Sequence, residues 1–512
     1  MNSRSSGIMW RQLFLRGVDS GLSLQGQIRQ MMVSLVLDGQ LPEDLPIPSS
    51  RDMAMILGVA RNTVVIAYQN LVDEGYLVSR ERRGYFVNPM MLSGHVPVPP
   101  PPAALSQGDA PDWERRFRFT PSRQRNIRKR ANWRSYPYPF IYGQFDADLF
   151  PIAAWRDCCL RTLSALEVGE WAQDMILRDD ESLIKQLRSR VLPRRGVWAG
   201  EDEVVLTVGA QQALYLIADL LVGPDTPVGI EDPGYPDARN IFASRSDNLV
   251  LLPVDEDGLI PDQALHGCDY VYVTPSYQCP TTVSMSLERR RELLRMADEF
   301  DFVIIEDDYE SEYRLDGEPL PSLKSMDTSG RVIYIGSFSK QLAPGVRLGY
   351  VVGGAALIEQ LRAVRRLSIR HPTAYMQRVF ALFMSLGHLD ALLRRRAAVQ
   401  QERAVILMSA LDRYLPGLRY APIRGGASCW VEGPAWLDAA ELAAHAERLG
   451  VLIELGEVFF ADDKANKRFF RLGFASIPMS HIEPGIVRLA QALHDIAPVQ
   501  QRVLARPVFL DQ

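Results

Sequence analysis

The sequence predicts an α/β protein preceded by a small winged helix-turn-helix module, and three observations carry that expectation. Seven short apolar, β-branched runs between residues 204 and 352 alternate with helical patterns. Between residues 24 and 87, three amphipathic helical patterns lead into two strands around a basic tip. A Pro-rich and then basic run separates the two parts. The expected boundaries are 1–90 for the small module, 91–134 for a linker and 135–512 for the large part. The large part divides again near residue 365, into 135–365 and a smaller α+β region over 366–512.

Composition narrows the class. Hydrophobic residues are 47% and charged residues 23% of 512, which excludes a disordered, collagen-like or disulfide-dense chain. The formal net charge is −5, so a contact with nucleic acid has to sit in a local patch. Cys158 and Cys159 are adjacent and no CxxC occurs, so a metal site is not expected and a reducing compartment fits. The opening MNSRSSGIMWRQLFLRG lacks the apolar core of a signal peptide, and no run of about 18 apolar residues exists. A cytoplasmic protein without a membrane span is expected.

In the small module, SLQGQIRQMMVSLVLDG is a helix ending at Gly39. In LPIPSSRDMAMILG, Ser49 or Ser50 is an N-cap before a short helix that Gly58 stops. ARNTVVIAYQNLVDEG is the third helix, with Val64, Tyr68, Leu71 and Val72 as its buried stripe. Arg61, Asn62, Thr63 and Ile66 face away, near its start. A short helix, a tight turn and such a helix form a helix-turn-helix, whose second helix lies in the major groove of double-stranded DNA. Arg pairs bidentately with guanine and Asn with adenine, while Thr63 and Arg51 suit phosphate. YLVSRERRGYFV follows as two strands around Arg80, Arg82, Arg83 and Gly84, a wing able to touch backbone or minor groove. The candidate DNA-contacting set is Ser50, Arg51, Arg61, Asn62, Thr63, Arg82, Arg83 and Gly84. The run PIPSSRDMAMILGVARNTVVIAYQNLVDEGYLVSRERRGYFV resembles the winged helix of GntR-type bacterial transcription regulators.

The linker changes character along its length. PVPPPP from Pro97 to Pro102 favours extended polyproline II. Residues 113–134 carry nine basic residues and one acid, which leaves the remainder of the chain acidic. That basic run adds phosphate contacts, is a solvated tether, or packs on the acidic large part.

The seven runs are Val204–Val208, Val228–Ile230, Leu249–Val254, Tyr270–Thr274, Phe302–Ile305, Val332–Ile335 and Leu348–Val352. Being apolar on both faces, they suit a mostly parallel, seven-stranded sheet covered by helices. Ligands in such sheets bind beyond the carboxyl ends of the strands. At one such end stands Ser337-Phe338-Ser339-Lys340, with Arg347 seven residues further on. A lysine just past an apolar strand loses solvation, and its amine becomes nucleophilic toward an aldehyde. Ser337, Ser339 and Arg347 can hold a phosphate, and lysine plus phosphate cradle is what pyridoxal phosphate requires. Asp307 is placed to pair with a pyridine nitrogen, and Tyr309 to bond the ring's phenolate oxygen. Gly209, Ala210 and Gln211 precede a helix whose N–H groups favour a dianion. Tyr235 can stack on the ring.

From about Phe140 onward the chain resembles a fold-type I aminotransferase. The resemblance implies Lys340 as the internal-aldimine (Schiff base) lysine of a pyridoxal 5'-phosphate site, with Asp307, Tyr309, Tyr235, Ser337, Ser339, Arg347 and the Gly209–Gln211 turn in the roles above. It implies Arg471, in FFRLGFA, as the arginine gripping a carboxylate. Two positions depart from the pattern. Cys279, in Gln278-Cys279-Pro280-Thr281-Thr282, stands where an Asn usually bonds the cofactor, and Leu177 where a Tyr usually reaches the partner's phosphate. The two halves together resemble the MocR/GabR-type regulators. That implies a PLP-dependent transcriptional regulator, without efficient turnover, in which an amine or amino-acid effector forms an external aldimine at Lys340 and binds through Arg471. It also implies a head-to-tail homodimer, each DNA-binding module lying over the partner's large domain. The alternative is an active aminotransferase with an accessory DNA-binding domain. The sequence leaves open the effector, the operator and the sense of regulation.

Overall fold

A computed structural model of the chain describes residues 10–15, 22–41, 45–81, 83–92, 111–144, 146–175, 178–310, 317, 319–462 and 466–498. It divides into two compact units, Met1–Phe117 and Arg118–Gln512. Among the described residues no helix is long and apolar enough to cross a membrane, and no group of three or more His, Cys, Asp or Glu is placed to hold a metal ion.

In the first unit, α1 (Leu24–Leu37), α2 (Ser50–Leu57) and α3 (Arg61–Asp73) close on a core that includes Ile28, Met32, Met53, Val64, Tyr68 and Leu71. The cap of α2 is Ser49: its Oγ accepts the Asp52 N–H at 3.2 Å, and Ser50 is the first helical residue. Gly58, at φ +72°, ends α2 in the left-handed region that lets the chain turn without a Cβ penalty. In α3 the helical period buries Ala67, while Val72 is only half-buried. The Tyr68 hydroxyl, inside this core, donates to Pro48 O at 2.9 Å and ties α3 to the start of α2. β1 (Leu77–Arg80) and β2 (Gly84–Val87) pair antiparallel, with Arg80 opposite Gly84.

The second unit opens with β3 (Tyr138–Pro139) and then builds one sheet. Its strands are β4 (Val204–Thr207), β5 (Val228–Asp232), β6 (Leu249–Asp255), β7 (Gly258–Leu259), β8 (Tyr270–Val273), β9 (Val303–Asp308), β10 (Val332–Ser337) and β11 (Gly349–Val352). The order across the sheet is β4-β11-β10-β9-β8-β5-β6-β7. The pairs from β10 through β9, β8 and β5 to β6 are parallel, and β11 runs antiparallel to both its neighbours. The sheet therefore has eight strands rather than seven. The extra one, β7, is a two-residue antiparallel return from β6, too short to show a period.

The smaller region packs the long helix α4 (His388–Tyr414) with α5 (Ala439–Arg448) and α6 (Met479–Ile496) around a second core. Its sheet has the order β12 (Arg419–Tyr420), β13 (Ser428–Glu432), β16 (Phe469–Gly473) and β15 (Glu454–Leu455). β14 (Val451–Leu452) pairs in parallel with β3, so the start of the second unit is stitched to its end. Of the run expected as linker, residues 118–134 lie with this second unit, and Arg130 pairs with Glu447 at 2.8 Å.

The interior strand β9 ends in three buried carboxylates, Glu306, Asp307 and Asp308. Leu323 and Lys324 donate their N–H groups to Glu306 at 2.9 and 2.8 Å. Arg195 Nε holds Asp308 at 2.8 Å and the Tyr334 hydroxyl holds it at 2.6 Å. Burial opposes the charge on Asp308, but Arg195 outweighs it and keeps the carboxyl below the usual carboxylate range. Arg195→Met strands this anion in the interior. It is expected to cost about 3–5 kcal/mol, read as a lower denaturation midpoint of the second unit, and an unchanged midpoint would refute the assignment.

Candidate functional site

The carboxyl ends of the parallel strands meet in a cavity of about 320 Å³. Ala210, Gln211, Tyr235, Asp307, Tyr309, Ser337, Ser339, Lys340, Arg347 and Arg471 all line it. Gly209 adjoins them: it starts the helix Gly209–Leu221 at φ +76°, and a Cβ there would stand 3.0 Å from Arg347 Nη2. Glycine thus permits both the turn and the approach of the guanidinium to the helix N-terminus, where N–H groups and a cation converge as an anion requires.

Lys340 follows β10 on a single helical turn, Phe338–Gln341, in which Ser339 Oγ donates to Leu348 O at 3.4 Å. Arg396, on the long helix, donates to Lys340 O at 2.7 Å and also to Gln341 O, so the smaller region braces this turn. The Lys340 ammonium stands 4.0 Å from the centre of the Tyr142 ring. Burial drives its pKa down to about 8, with Glu310 opposing and Lys129 and Arg471 adding to the shift. A neutral amine is thus accessible near neutral pH.

Asp307 accepts from the Tyr272 hydroxyl at 2.9 Å through Oδ2. Its Oδ1 is buried with no hydrogen-bond partner among the described residues. Burial pushes the carboxyl up to about 7, against the pull of Tyr272. An unsatisfied buried carboxylate oxygen at a cavity wall fits a cationic N–H donor on a ligand, such as a pyridinium nitrogen. Tyr235 donates to Gln211 Oε1 or Asp237 Oδ2, each at 3.0 Å, and Tyr309 donates to Tyr277 O at 2.8 Å. The Tyr309 hydroxyl is therefore engaged with the main chain here.

Arg471 lies on β16 directly opposite Glu454 of β15. Its Nε donates to Glu454 Oε2 at 2.9 Å, while Nη2 is buried with no partner among the described residues. Its guanidinium also lies 4.4 Å from the Tyr142 ring centre and 4.6 Å from that of Phe459. Burial opposes its charge, but Glu454 outweighs the penalty and raises its pKa. One edge of the fork is tied down and the other is available to an acid.

In the first unit Arg51, Arg61, Asn62, Arg83 and Gly84 are exposed, and Ser50 and Thr63 are half-buried. Arg61 and Asn62 open α3, whose first N–H groups have no side-chain cap. Arg82 and Leu177 lie outside the described residues. Cys279 lines the cavity, and burial pushes its thiol up to about 12, so it is a neutral group there.

Two family models match the chain: bacterial regulatory proteins of the gntR family over residues 24–87, and aminotransferase class I and II over residues 181–489. The HTH-type transcriptional regulator TauR of Rhodobacter capsulatus is 39% identical over 92% of this chain and 96% of its own. The probable rhizopine catabolism regulatory protein MocR of Rhizobium meliloti is 31% identical over 78% of this chain and 79% of its own. The chain belongs to the MocR-type transcriptional regulators. In this MocR-type chain the second unit has the aminotransferase fold. A Pyrococcus horikoshii kynurenine aminotransferase solved in complex with PMP superposes with a TM-score of 0.69, at 27% identity, over 76% of this chain and 99% of its own.

Sequence reasoning missed Tyr142, Glu454 and Lys129 at this site. Tyr142 sits in FIYGQ and carried no periodic signal. Glu454 is readable only with the β15–β16 register, and Lys129 falls in the basic stretch of the 91–134 linker, where no local pattern marks one cation from the other eight.

The neutral form of Asp307 is favoured in the folded, cofactor-free protein. Its contribution is fully present below about pH 4, the ordinary value being 3.8, and is lost as pH rises through about 7. Glu231, pushed up to about 7 by burial, acts in the same sense. The cofactor-free protein is therefore expected to lose stability from about pH 4 to 7. Asp307→Asn should flatten that loss in a pH series of denaturation midpoints, and an undiminished slope would contradict it.

Proposed function

We propose that this MocR-type protein is a pyridoxal phosphate-dependent regulator that senses an amine or amino acid in the second unit and changes how the first unit holds DNA. The observation that carries the reading is the convergence of Lys340, Asp307, Arg347 and the Gly209–Gln211 helix start on one cavity, in a chain that also bears an exposed Arg61-Asn62 helix start. Bound there, the cofactor supplies an aldehyde that captures primary amines and a ring that withdraws electrons. Asp307, with its unsatisfied Oδ1, would hold a proton on the ring nitrogen. Arg347, Ser337, Ser339 and the amides of Ala210 and Gln211 hold the phosphate, and Tyr235 offers an aromatic face. Lys340, with its lowered pKa, would supply the amine that holds the aldehyde and that an effector's amine would exchange with. Displaced Lys340 would rest beside Tyr142, and Arg471 would take an effector's acidic group on its open edge. Arg396 links the Lys340 turn to the smaller region, so this exchange is felt there. DNA output changes because the effector binds two states of the protein unequally.

The exposed apolar side chains Ile152, Leu160, Leu163, Leu166, Trp198 and Leu367 of the second unit support assembly as a homodimer. A second reading, working amino transfer, is favoured by the same set of Lys340, Asp307 and Arg471. Against it stands Cys279, a neutral thiol where an amide would bond the cofactor.

The test is binding of the cofactor-loaded protein to DNA from its own upstream region over a salt series. Specific binding that weakens steeply with salt is expected. Arg61→Ala should lose roughly tenfold or more of the specific affinity, about 1–3 kcal/mol, and sequence-blind binding that ignores the substitution would favour the enzyme reading. Lys340→Ala is expected to keep DNA binding and lose the effector response on a promoter. A full response in that variant would sink the sensing mechanism.

A further inference from the structure

The basic run ahead of residue 134 forms part of the cavity wall. Gln124 Nε2 donates to Asn240 O at 3.2 Å. Arg125 donates to the carbonyls of Phe460 and Ala461, each at 3.3 Å, and to that of Glu457. This arginine grips the loop that carries Phe459, the ring against which Arg471 lies. Two residues beyond it Ile127 lines the cavity, and so does Lys129.

Lys129 is held where it can meet a ligand. Its ammonium donates to Tyr142 O and lies 4.0 Å from Glu454 Oε1. Arg471 holds the other oxygen of that same carboxylate at 2.9 Å. A Cβ on Gly143 would stand 3.1 Å from Lys340 Nζ and 3.4 Å from Lys129 Nζ, so the two ammonium groups flank one point. Burial lowers the pKa of Lys129, Glu454 resists and Arg471 adds to the fall, as a cation short of partners requires.

Charge decides what comes here. In the reading above, Lys340, Asp307 and Arg347 are committed to the cofactor. Lys129 and Arg471 remain, with Glu454 shared between them and Arg471 Nη2 still unsatisfied. One carboxylate cannot neutralise two cations, and an anion placed between them relieves the surplus. Of the three donors on an ammonium, Tyr142 O takes one.

We infer that Lys129 is a specificity-determining residue that grips the effector's acidic group together with Arg471, so that the effector is an amine bearing an anion and its arrival acts directly on the segment leading to the DNA-binding unit. The inference rests on the sensing reading above. A neutral amine satisfies Lys340's competition equally well but leaves both cations unrelieved. Carboxylate and sulfonate share the recognising chemistry.

The experiment uses full-length, cofactor-loaded protein. It is titrated with the ω-amino acids from glycine to γ-aminobutyrate and with taurine, against n-alkylamines of matching length, following cofactor absorption. The wild type is expected to prefer the acids. Lys129→Ala should weaken the best acid about tenfold, leave the alkylamines unchanged, and be rescued by Lys129→Arg. In parallel, chymotrypsin probes the exposed Trp113, Phe117 and Phe119. The best acid should alter cleavage there in the wild type and not in Lys129→Ala. If no amine of any series moves the spectrum, the sensing reading itself fails. If amines bind and Lys129→Ala weakens acids and alkylamines alike, or weakens neither, the assignment of Lys129 is overturned while sensing stands. Cleavage that responds equally in Lys129→Ala overturns the direct action on the segment.

Discussion

A strand that ends in three consecutive buried carboxylates sets the terms for the rest of this structure. Glu306, Asp307 and Asp308 are all buried, so each needs hydrogen-bond donors or must take up a proton. The solutions differ. Glu306 recruits two main-chain N–H groups from the turn at Leu323 and Lys324. Asp308 recruits a buried guanidinium from Arg195, which also donates to Ser276 and to Leu320 O and so anchors distant loops on the same charge. Among the described residues Asp307 receives only a tyrosine hydroxyl, and the deficit leaves its Oδ1 open to a donor. A fully satisfied Asp307 would stabilise the empty protein and leave nothing for a ring nitrogen.

The same economy of partners runs through the cations. Tyr142 lies against both Lys340 and Arg471, and its hydroxyl donates to Glu310 at 2.8 Å. An aromatic face accepts a cation without neutralising it, so both charges stay reactive while their positions are fixed. Lys340 needs that arrangement to be held and yet hold its proton loosely. Arg471 needs it to stay aligned once Glu454 has taken one edge. The site is thus kept electrostatically incomplete from both sides, acid and base.

The parallel strands were legible because each is a local apolar run, and most of the candidate site residues were legible because they follow or end such a run, with Arg347 just ahead of one and Arg471 inside the strand Phe469–Gly473. Topology then brings them together without further instruction, since parallel strands deliver their carboxyl ends to one edge. What local pattern could not show is pairing across the chain. β7 has two residues and no period. Glu454 meets Arg471 only through an antiparallel register. The role of Arg125 depends on carbonyls more than 300 residues away. For Ser49 against Ser50 both side chains can cap, and the hydrogen bond alone decides.

Because Ile127 and Lys129 line the cavity, its wall begins ahead of residue 134, where the sequence ends the linker, and inside the second folded unit, which starts at Arg118. A gene fusion that joined a foreign DNA-binding module at residue 134 would discard part of the receptor along with the old module. A crossover upstream of Gln124 would keep the receptor whole. An exchange of modules that keeps this cavity intact is therefore confined to the stretch ahead of the basic run.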